Sequence, residues 1–226
     1  MPAWALRVGA LCALSLLAVT LYLQGWRART DLYPWLTDLV TQITAADELL
    51  REGRLPDQGS VAATFGRIPP GTAWLLAPGL LMFEDPRLFG VPTSALLFLM
   101  TLVGIVLLGR AWWSETVGWI AATLYTFSYI GLFFSASLWQ RGHPFFVVWI
   151  VYGCYLAVRR SRAHWLLLAV ACYVVGVYVH PDLVPVGAVL LVALALNRAL
   201  LTWWLIPATV LVTALVWAPS CSISTT

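Results

Sequence analysis

The sequence predicts an all-α integral membrane protein of about seven transmembrane helices, with an outer-surface amphipathic helix and a short re-entrant or surface helix after the first span. Three observations carry this expectation. Hydrophobic residues make up 61% of the 226 positions and charged residues 10%, with a mean hydropathy of +0.86; a soluble domain carries roughly a quarter charged residues. Apolar runs recur along almost the whole chain, at lengths that suit membrane helices. One long polar stretch, Asp31–Gly71, interrupts them and holds Asp31, Asp38, Asp47, Glu48, Glu52 and Asp57, six of the ten carboxylates. The chain therefore reads as a single membrane domain over residues 1–226. It comprises a first span to residue 26, an outer loop with surface helices over 27–90, six further spans over 91–219 and a tail over 220–226.

Composition also narrows the partners. Every one of the thirteen basic residues is Arg, and the net charge of +3 is too small and too scattered for a nucleic-acid footprint. The bilayer is the partner that the hydropathy implies. Cys12, Cys154 and Cys172 fall inside apolar runs, as small core residues do, and Cys221 stands in the tail. No disulfide framework, divalent-metal site or other cofactor is indicated by that spacing.

Taken in order, Met1–Trp26 has Arg7 near its start, an apolar run from Val8 to Leu23, and Tyr22 and Trp26 as aromatic anchors. Bulky, basic residues follow it where a signal peptide needs small ones, so it reads as an uncleaved first span. Next, Leu36, Leu39, Val40, Ile43, Ala46 and Leu50 recur at helical spacing opposite Thr37, Thr41, Gln42, Glu48, Arg51 and Glu52, and Gly53 supplies a stop. This is an amphipathic helix of about four to five turns, suited to the membrane surface. Arg54–Arg67 reads as loop, broken by Pro56, Gly59 and Gly66.

Pro69–Phe83 is apolar but short, with Gly71, Pro78 and Gly79 as breakers. The positive-inside bias arbitrates its topology. The later apolar runs are Val91–Gly109, Val117–Leu138, Pro144–Val158, Trp165–Val179, Leu183–Leu196 and Leu200–Trp217. Arg clusters fall at Arg110, at Arg159, Arg160 and Arg162, and at Arg198. With Arg7 inside and Pro69–Phe83 not crossing, all of them land inside. Seven spans result, with the amino terminus in and the carboxyl terminus out. His180, Pro181 and Asp182 then separate two short spans that form a hairpin, since Pro181 and Pro185 forbid one continuous helix.

This topology collects the Asp31–Gly71 loop, Trp139, Arg141, His143, His180 and Asp182 on the outer face. A carboxylate, two imidazoles and guanidinium groups at one face are suited to accepting a proton and binding an anionic leaving group. Each also has a plainer role. Asp38 complements a helix dipole, Arg67 anchors to headgroups, and His143, His180 and Asp182 cap helices.

The order of these features resembles the GT-C superfamily of polyprenyl-phosphate-sugar glycosyltransferases, in particular its protein O-mannosyltransferase and aminoarabinose-transferase group. Asp38 followed by Glu48-Leu49-Leu50-Arg51-Glu52-Gly53 matches the acidic residue that opens an outer-surface helix ending in Leu-Leu-x-x-Gly. Ile68-Pro69-Pro70 through Phe83 matches a Pro-Pro segment leading a short apolar helix, and Val91-Pro92-Thr93-Ser94 to Arg110 a proline-headed span ending in basic residues. Gly142-His143-Pro144-Phe145 looks like an Ala-Arg-Pro-Tyr entry, and Tyr178-Val179-His180-Pro181 like a Tyr-Thr-His-Tyr corner. The resemblance covers nearly the whole chain through the order of individually degenerate motifs.

What the resemblance implies is a membrane transferase that moves a sugar from a polyprenyl-phosphate donor to an acceptor hydroxyl, with inversion, on the outer face of a bacterial-type plasma membrane. It makes Asp38 the catalytic base. It places Arg67, Arg141 and His143 at the donor phosphate and lipid, His143 standing where the family has Arg and Arg141 substituting for it. Asp47, Glu48, His180 and Asp182 are the candidate contacts to donor or acceptor. Family members continue through further spans, whereas this sequence stops after Ala218-Pro219 with the tail Ser220–Thr226. The expectation is an amino-terminal module that acts either as a minimal enzyme or completed by other membrane subunits; the alternative is a non-catalytic scaffold or assembly subunit derived from the same fold. A transporter is disfavoured, because the span interiors hold almost no ionisable residue for a midplane path.

Overall fold

A computed structural model describes residues 37–52, 61–62, 66–67, 71–84, 90–129, 131 and 143–221, together with positions 8, 9, 12, 16 and 19. The described chain is all-helical apart from one minimal β pair. Its helices are α1 (Thr37–Glu52), α2 (Gly71–Met82), α3 (Val91–Trp112), α4 (Glu115–Phe127), α5 (His143–Arg160), α6 (Ala163–Val179), α7 (Gly187–Leu196) and α8 (Leu205–Cys221). Strands β1 (Val61–Ala62) and β2 (Gly66–Arg67) pair antiparallel, Val61 with Arg67 and Ala62 with Gly66, inside the stretch expected to be loop. Most of the first span, and Asp31, Asp57, Trp139 and Arg141, lie outside the described residues.

The core is built around α5. Its Phe146, Ile150, Cys154 and Ala157 are buried against Leu166 and Ala169 of α6, Leu190 and Ala193 of α7, and Leu200 and Leu205 leading into α8. On its other side the Trp149 indole donates to the Met100 carbonyl of α3 at 3.1 Å, and the Tyr155 hydroxyl donates to the Ala111 carbonyl at 2.8 Å. Helices α3 and α4 form a hairpin whose backbones touch. A Cβ added to Gly118 would lie 2.4 Å from the Val106 carbonyl oxygen, and one added to Gly109 would lie 2.3 Å from the Gly118 Cα. Small residues at such crossings let apolar helices approach closely enough to gain dispersion energy. Ser114 starts α4 by accepting from the Val117 N–H, with Glu115 in the first turn where the helix dipole favours an anion.

The helices run alternately up and down, and this decides where the polar residues fall. The carboxyl ends of α3, α5 and α7 and the amino ends of α4, α6 and α8 meet at one end, which carries Arg110, Arg159, Arg160, Arg162 and Arg198. The amino ends of α3 and α5 and the carboxyl end of α6 meet at the other, which carries His143, His180 and Asp182. Helix α2 belongs to this second end. Its Thr72 hydroxyl donates to the Val179 carbonyl at 3.1 Å, while Thr93 in the first turn of α3 donates to its Leu75 carbonyl. At twelve residues α2 is about 18 Å long, well short of a ~30 Å hydrocarbon layer.

Among the described residues one helix, Pro92–Trp112, is long and apolar enough to cross a membrane; Gly71–Met82, Ala163–Val179, Pro181–Leu196 and Leu205–Val216 are apolar but shorter. Several expected boundaries shift. The run Val117–Leu138 is interrupted after Phe127, because Ser128 turns extended and its hydroxyl donates to the Tyr125 carbonyl and accepts from the Gly131 N–H; Tyr129 and Gly131 are helical again, and residues 132–138 lie outside the described residues. The run from Leu183 begins as a 3₁₀ segment, Pro181–Val186, so α7 has ten α-helical residues. Pro185 lacks the N–H that an α-helical turn would use there. The run from Leu200 becomes helix only at Leu205, after a 3₁₀ turn at Arg198–Leu200 that the Asn197 side chain caps. On α1 the buried face is Ala45 and Ala46 against Ala73 and Leu76, and Leu50 is exposed rather than buried. Cys12 is exposed, while Cys154 is buried.

The backbone contact at Gly118 makes a direct expectation. Gly118→Ala forces α3 and α4 apart against backbone atoms that cannot rotate away, with an expected cost of roughly 1–3 kcal/mol. The midpoint of unfolding in mixed detergent micelles measures it; an unchanged midpoint contradicts the close-packed hairpin.

Candidate functional site

The site is the corner where α6 ends and α2 begins. Val179 is the last helical residue, and His180 leaves the helix with extended backbone, its N–H still bonded to the Gly176 carbonyl. Pro181 then opens the 3₁₀ segment, where its fixed φ and missing N–H cost nothing. Against this corner Gly71 makes an approach that no other residue permits: a Cβ there would lie 2.5 Å from the Tyr178 carbonyl oxygen. Thr72 reaches the next carbonyl, Val179, and the Trp74 ring lies 5.0 Å from the fully buried Tyr178 ring. The sequence marks Gly71 only as a breaker, and no motif in it marks Gly71, Thr72 or Trp74 as site residues. The glycine directly after Pro69-Pro70 was the signal available.

His143, the first residue of α5, packs edge-to-face on His180 with ring centroids 4.8 Å apart. The His180 Nδ1 accepts the Asp182 N–H at 3.3 Å, and the Asp182 Oδ2 lies at the same distance. These two contacts belong to different protonation states. The neutral ring accepts the N–H; a protonated ring would donate to the carboxylate. Burial lowers the His180 pKa, against the opposing pull of Asp182. Burial likewise lowers His143, helped by His180 and opposed by Asp182, to about 4. Both imidazoles are therefore neutral near pH 7.

Neutral His180 with Nδ1 as acceptor carries its proton on Nε2. That atom is buried with no hydrogen-bond partner among the described residues, and so is the Trp74 indole Nε1. An orphaned buried donor costs about 1–3 kcal/mol. Two of them at one corner suit a ligand rich in acceptor oxygens, such as a phosphate or a sugar.

The remaining expected site residues distribute unevenly. Asp38 lies in the first turn of α1, where a carboxylate complements the helix dipole; its side chain is outside the described residues. It stands seven residues before Ala45, about 11 Å along the axis from the α1–α2 contact. Arg67 ends β2 four residues before Gly71, so chain connectivity holds its backbone within about 14 Å of the corner, while Arg141 lies outside the described residues. Asp47 pairs locally with the Arg51 Nε at 2.8 Å, an exposed i,i+4 bridge worth about 0.3–0.5 kcal/mol, and Glu48 is exposed on the same helix. No group of three or more His, Cys, Asp or Glu side chains able to hold a metal ion is found among the described residues. No family model matches the chain, and no curated protein or solved structure is significantly similar to it.

The histidine corner sets a pH dependence whose sign follows from its shifts. Folded His143 and His180 bind protons less readily than the unfolded chain, whose histidines titrate near 6.5. The unfolded state takes up the protons first, so stability is full above pH 6.5 and falls progressively toward pH 4. The expected result is a melting temperature that drops across this window. It drops measurably less in a His143→Gln, His180→Gln double variant. Equal slopes would contradict the burial of the pair.

Proposed function

We propose that this chain is a multi-pass membrane protein that moves a sugar from a polyprenyl-phosphate donor to an acceptor hydroxyl at the outer membrane face. The observation that carries the reading is the histidine corner itself. The Pro-Pro-led helix and the Tyr178-Val179-His180-Pro181 corner are joined by a hydrogen bond between residues 107 apart in sequence, and they carry two buried donors, His180 Nε2 and Trp74 Nε1, that have no partner among the described residues. Two further observations support a bilayer setting. Arg110, Arg159, Arg160, Arg162 and Arg198 of the helices from α3 onward fall at the opposite end, and Gly9 of the first span, two residues from Arg7, lies beside Trp119 in the second turn of α4 near that same end. Large apolar side chains such as Leu124, Leu191, Ile206 and Leu215 are exposed along the helices, as lipid-facing residues are.

In this reading Asp38 accepts the proton of the acceptor hydroxyl as that oxygen bonds to the anomeric carbon. The bond from that carbon to the phosphate oxygen breaks, its electron pair leaving with the polyprenyl phosphate, and the anomeric centre inverts. Arg67 and Arg141 balance the charge developing on the phosphate, while the His180 Nε2–H and the Trp74 indole donate to its oxygens or to the sugar. His143, being neutral, contributes a hydrogen bond and the packing that orients His180, not a charge. Seven spans, with the amino terminus inside and the carboxyl terminus outside, put this corner on the outer face.

Topology is tested with single cysteines in a cysteine-free background. Glu84→Cys and Asp182→Cys are expected to react with an impermeant maleimide in sealed cells, whereas Trp113→Cys and Arg162→Cys react only after permeabilisation. Identical labelling of both pairs overturns the seven-span arrangement.

Catalysis is tested at Asp38. Asp38→Asn removes proton affinity while keeping size and helix-capping capacity, so transfer from a polyprenyl-phosphate sugar is expected to fall roughly 10²–10⁴-fold. A residue that served only the dipole would lose about 0.3–1 kcal/mol of stability and no comparable rate. Near-normal transfer by the variant ends the role of Asp38. No transfer by the wild type, with every donor and partner subunit supplied, favours the scaffold.

A further inference from the structure

We propose that the arginine-bearing end of the helices is a binding site for the phosphate headgroups of anionic phospholipids, separate from the histidine corner and at the opposite end of the helices. The inference rests on the membrane reading given above. Arg110, Arg159, Arg160, Arg162 and Arg198 are all exposed there, while Glu115 is the acidic residue on these helix ends. Three helix carboxyl ends and three amino ends meet at this level, so their half-charges roughly cancel and the guanidinium excess stands.

Two of the groups are held in place rather than left to sweep solvent. The Arg159 guanidinium donates to the Ala111 carbonyl at 3.0 Å and to the Tyr155 hydroxyl, and it lies over the Tyr155 ring. The Arg160 guanidinium stacks over the Trp165 ring at 5.6 Å. The other arginines are tied to the same spot through the backbone. Arg110 precedes Ala111, whose carbonyl Arg159 uses, and Arg198 follows Asn197, whose amide donates to the Ser161 hydroxyl at 2.9 Å. That last bond spans the turn in which Ser161 adopts a left-handed φ of 48°, a conformation that non-glycine residues rarely take unless the surroundings hold it. The α5–α6 turn is thus fixed by a contact from the end of α7, with Arg159, Arg160 and Arg162 on either side of it.

Around this cluster stand Trp112 and Trp113, both exposed, with Trp203 nearby in sequence to α8. Indole rings at this level suit the interface between headgroups and acyl chains. A topogenic charge bias needs only arginines in short loops, whereas this arrangement fixes guanidinium planes through aromatic stacking and tertiary hydrogen bonds. Planar, pre-positioned donors are what phosphate oxygens bind best. The length of acyl chain that goes with the headgroup lies along the exposed apolar sides of the same helices.

The test uses the full chain in nanodiscs of phosphatidylcholine alone or with phosphatidylglycerol at one part in five, with retained lipid counted by native mass spectrometry. Preferential retention of phosphatidylglycerol is expected, weakened by salt but not displaced by millimolar inorganic phosphate. Displacement by phosphate alone would identify a small-anion site and overturn the lipid assignment. The Arg160→Gln, Arg162→Gln, Arg198→Gln variant spares Arg159 and its structural bonds. At roughly fivefold per charge it is expected to lose on the order of a hundredfold in lipid affinity. Should that variant fold poorly, the wild-type preference still decides. Equal retention of both lipids overturns the proposal and leaves the membrane reading standing. A chain recovered from the aqueous phase, joining no bilayer of either composition, overturns both.

Discussion

A sequence with so few charges, folded as apolar helices, satisfies most of its polar groups where helices end. Along the middle of a helix most backbone N–H and C=O groups are used internally, and side chains such as Ile150, Leu166 and Ala169 pack without a polar atom. Where hydroxyls do occur mid-helix, they fold back on their own turn: Thr101 donates to Leu97, and Thr126 to Ala122. The unpaired backbone groups, the arginines, the histidines and the prolines are therefore all driven to two levels, and the alternation of helix direction sorts them. That sorting, rather than any single contact, is what gives the molecule two chemically different ends.

Much of this was legible in the residue order. The helix at Val91 is apolar over a full span and opens with proline, which fits an amino-terminal turn, and its observed range begins at the expected residue. The arginines at 110, 159, 160, 162 and 198 were readable as sharing one side because they follow alternate apolar runs. What was not legible came from side chains that end helices locally. Ser128 and Asn197 are single polar residues in greasy surroundings, and only the structure reveals that each redirects backbone hydrogen bonds and interrupts a helical run. Likewise, periodicity alone gave Leu50 and Ala46 equal claim to the buried face of α1. Contact with α2 selected the alanines, because two helices joined through Ala45, Ala46 and Ala73 approach more closely than leucines allow.

The candidate site was readable one residue at a time but not as a unit. His143 and His180 each sit beside a proline, which suggested caps, and His180 does cap the 3₁₀ segment through Nδ1. That bond is also what makes the residue chemically interesting, since it assigns the proton to the buried Nε2. A capping role and a donor role are thus two consequences of one tautomer. Gly71 was invisible for the opposite reason: a glycine after two prolines reads as a turn, and its demand for space appears only once the Tyr178 carbonyl is placed against it.

The neutrality of the imidazole pair then constrains how the corner can work. Two histidines in contact cannot both be charged without mutual repulsion, and burial already disfavours even one charge. The imidazole pair therefore offers hydrogen bonds without a positive charge, and under the proposed transfer a phosphate would draw its countercharge from elsewhere. Arg67 and Arg141 are the cations whose sequence positions fall within a few residues of Gly71 and His143. Such a division has a physical advantage. Charge supplied from flanking segments can arrive with the ligand, whereas a permanently buried cation would carry a desolvation penalty in the empty protein. Asp182 completes the arrangement from the exposed side, positioned to stabilise His180 whenever the ring takes up a proton. The corner can thus pass between a hydrogen-bond donor and an ion pair without moving the backbone that holds it.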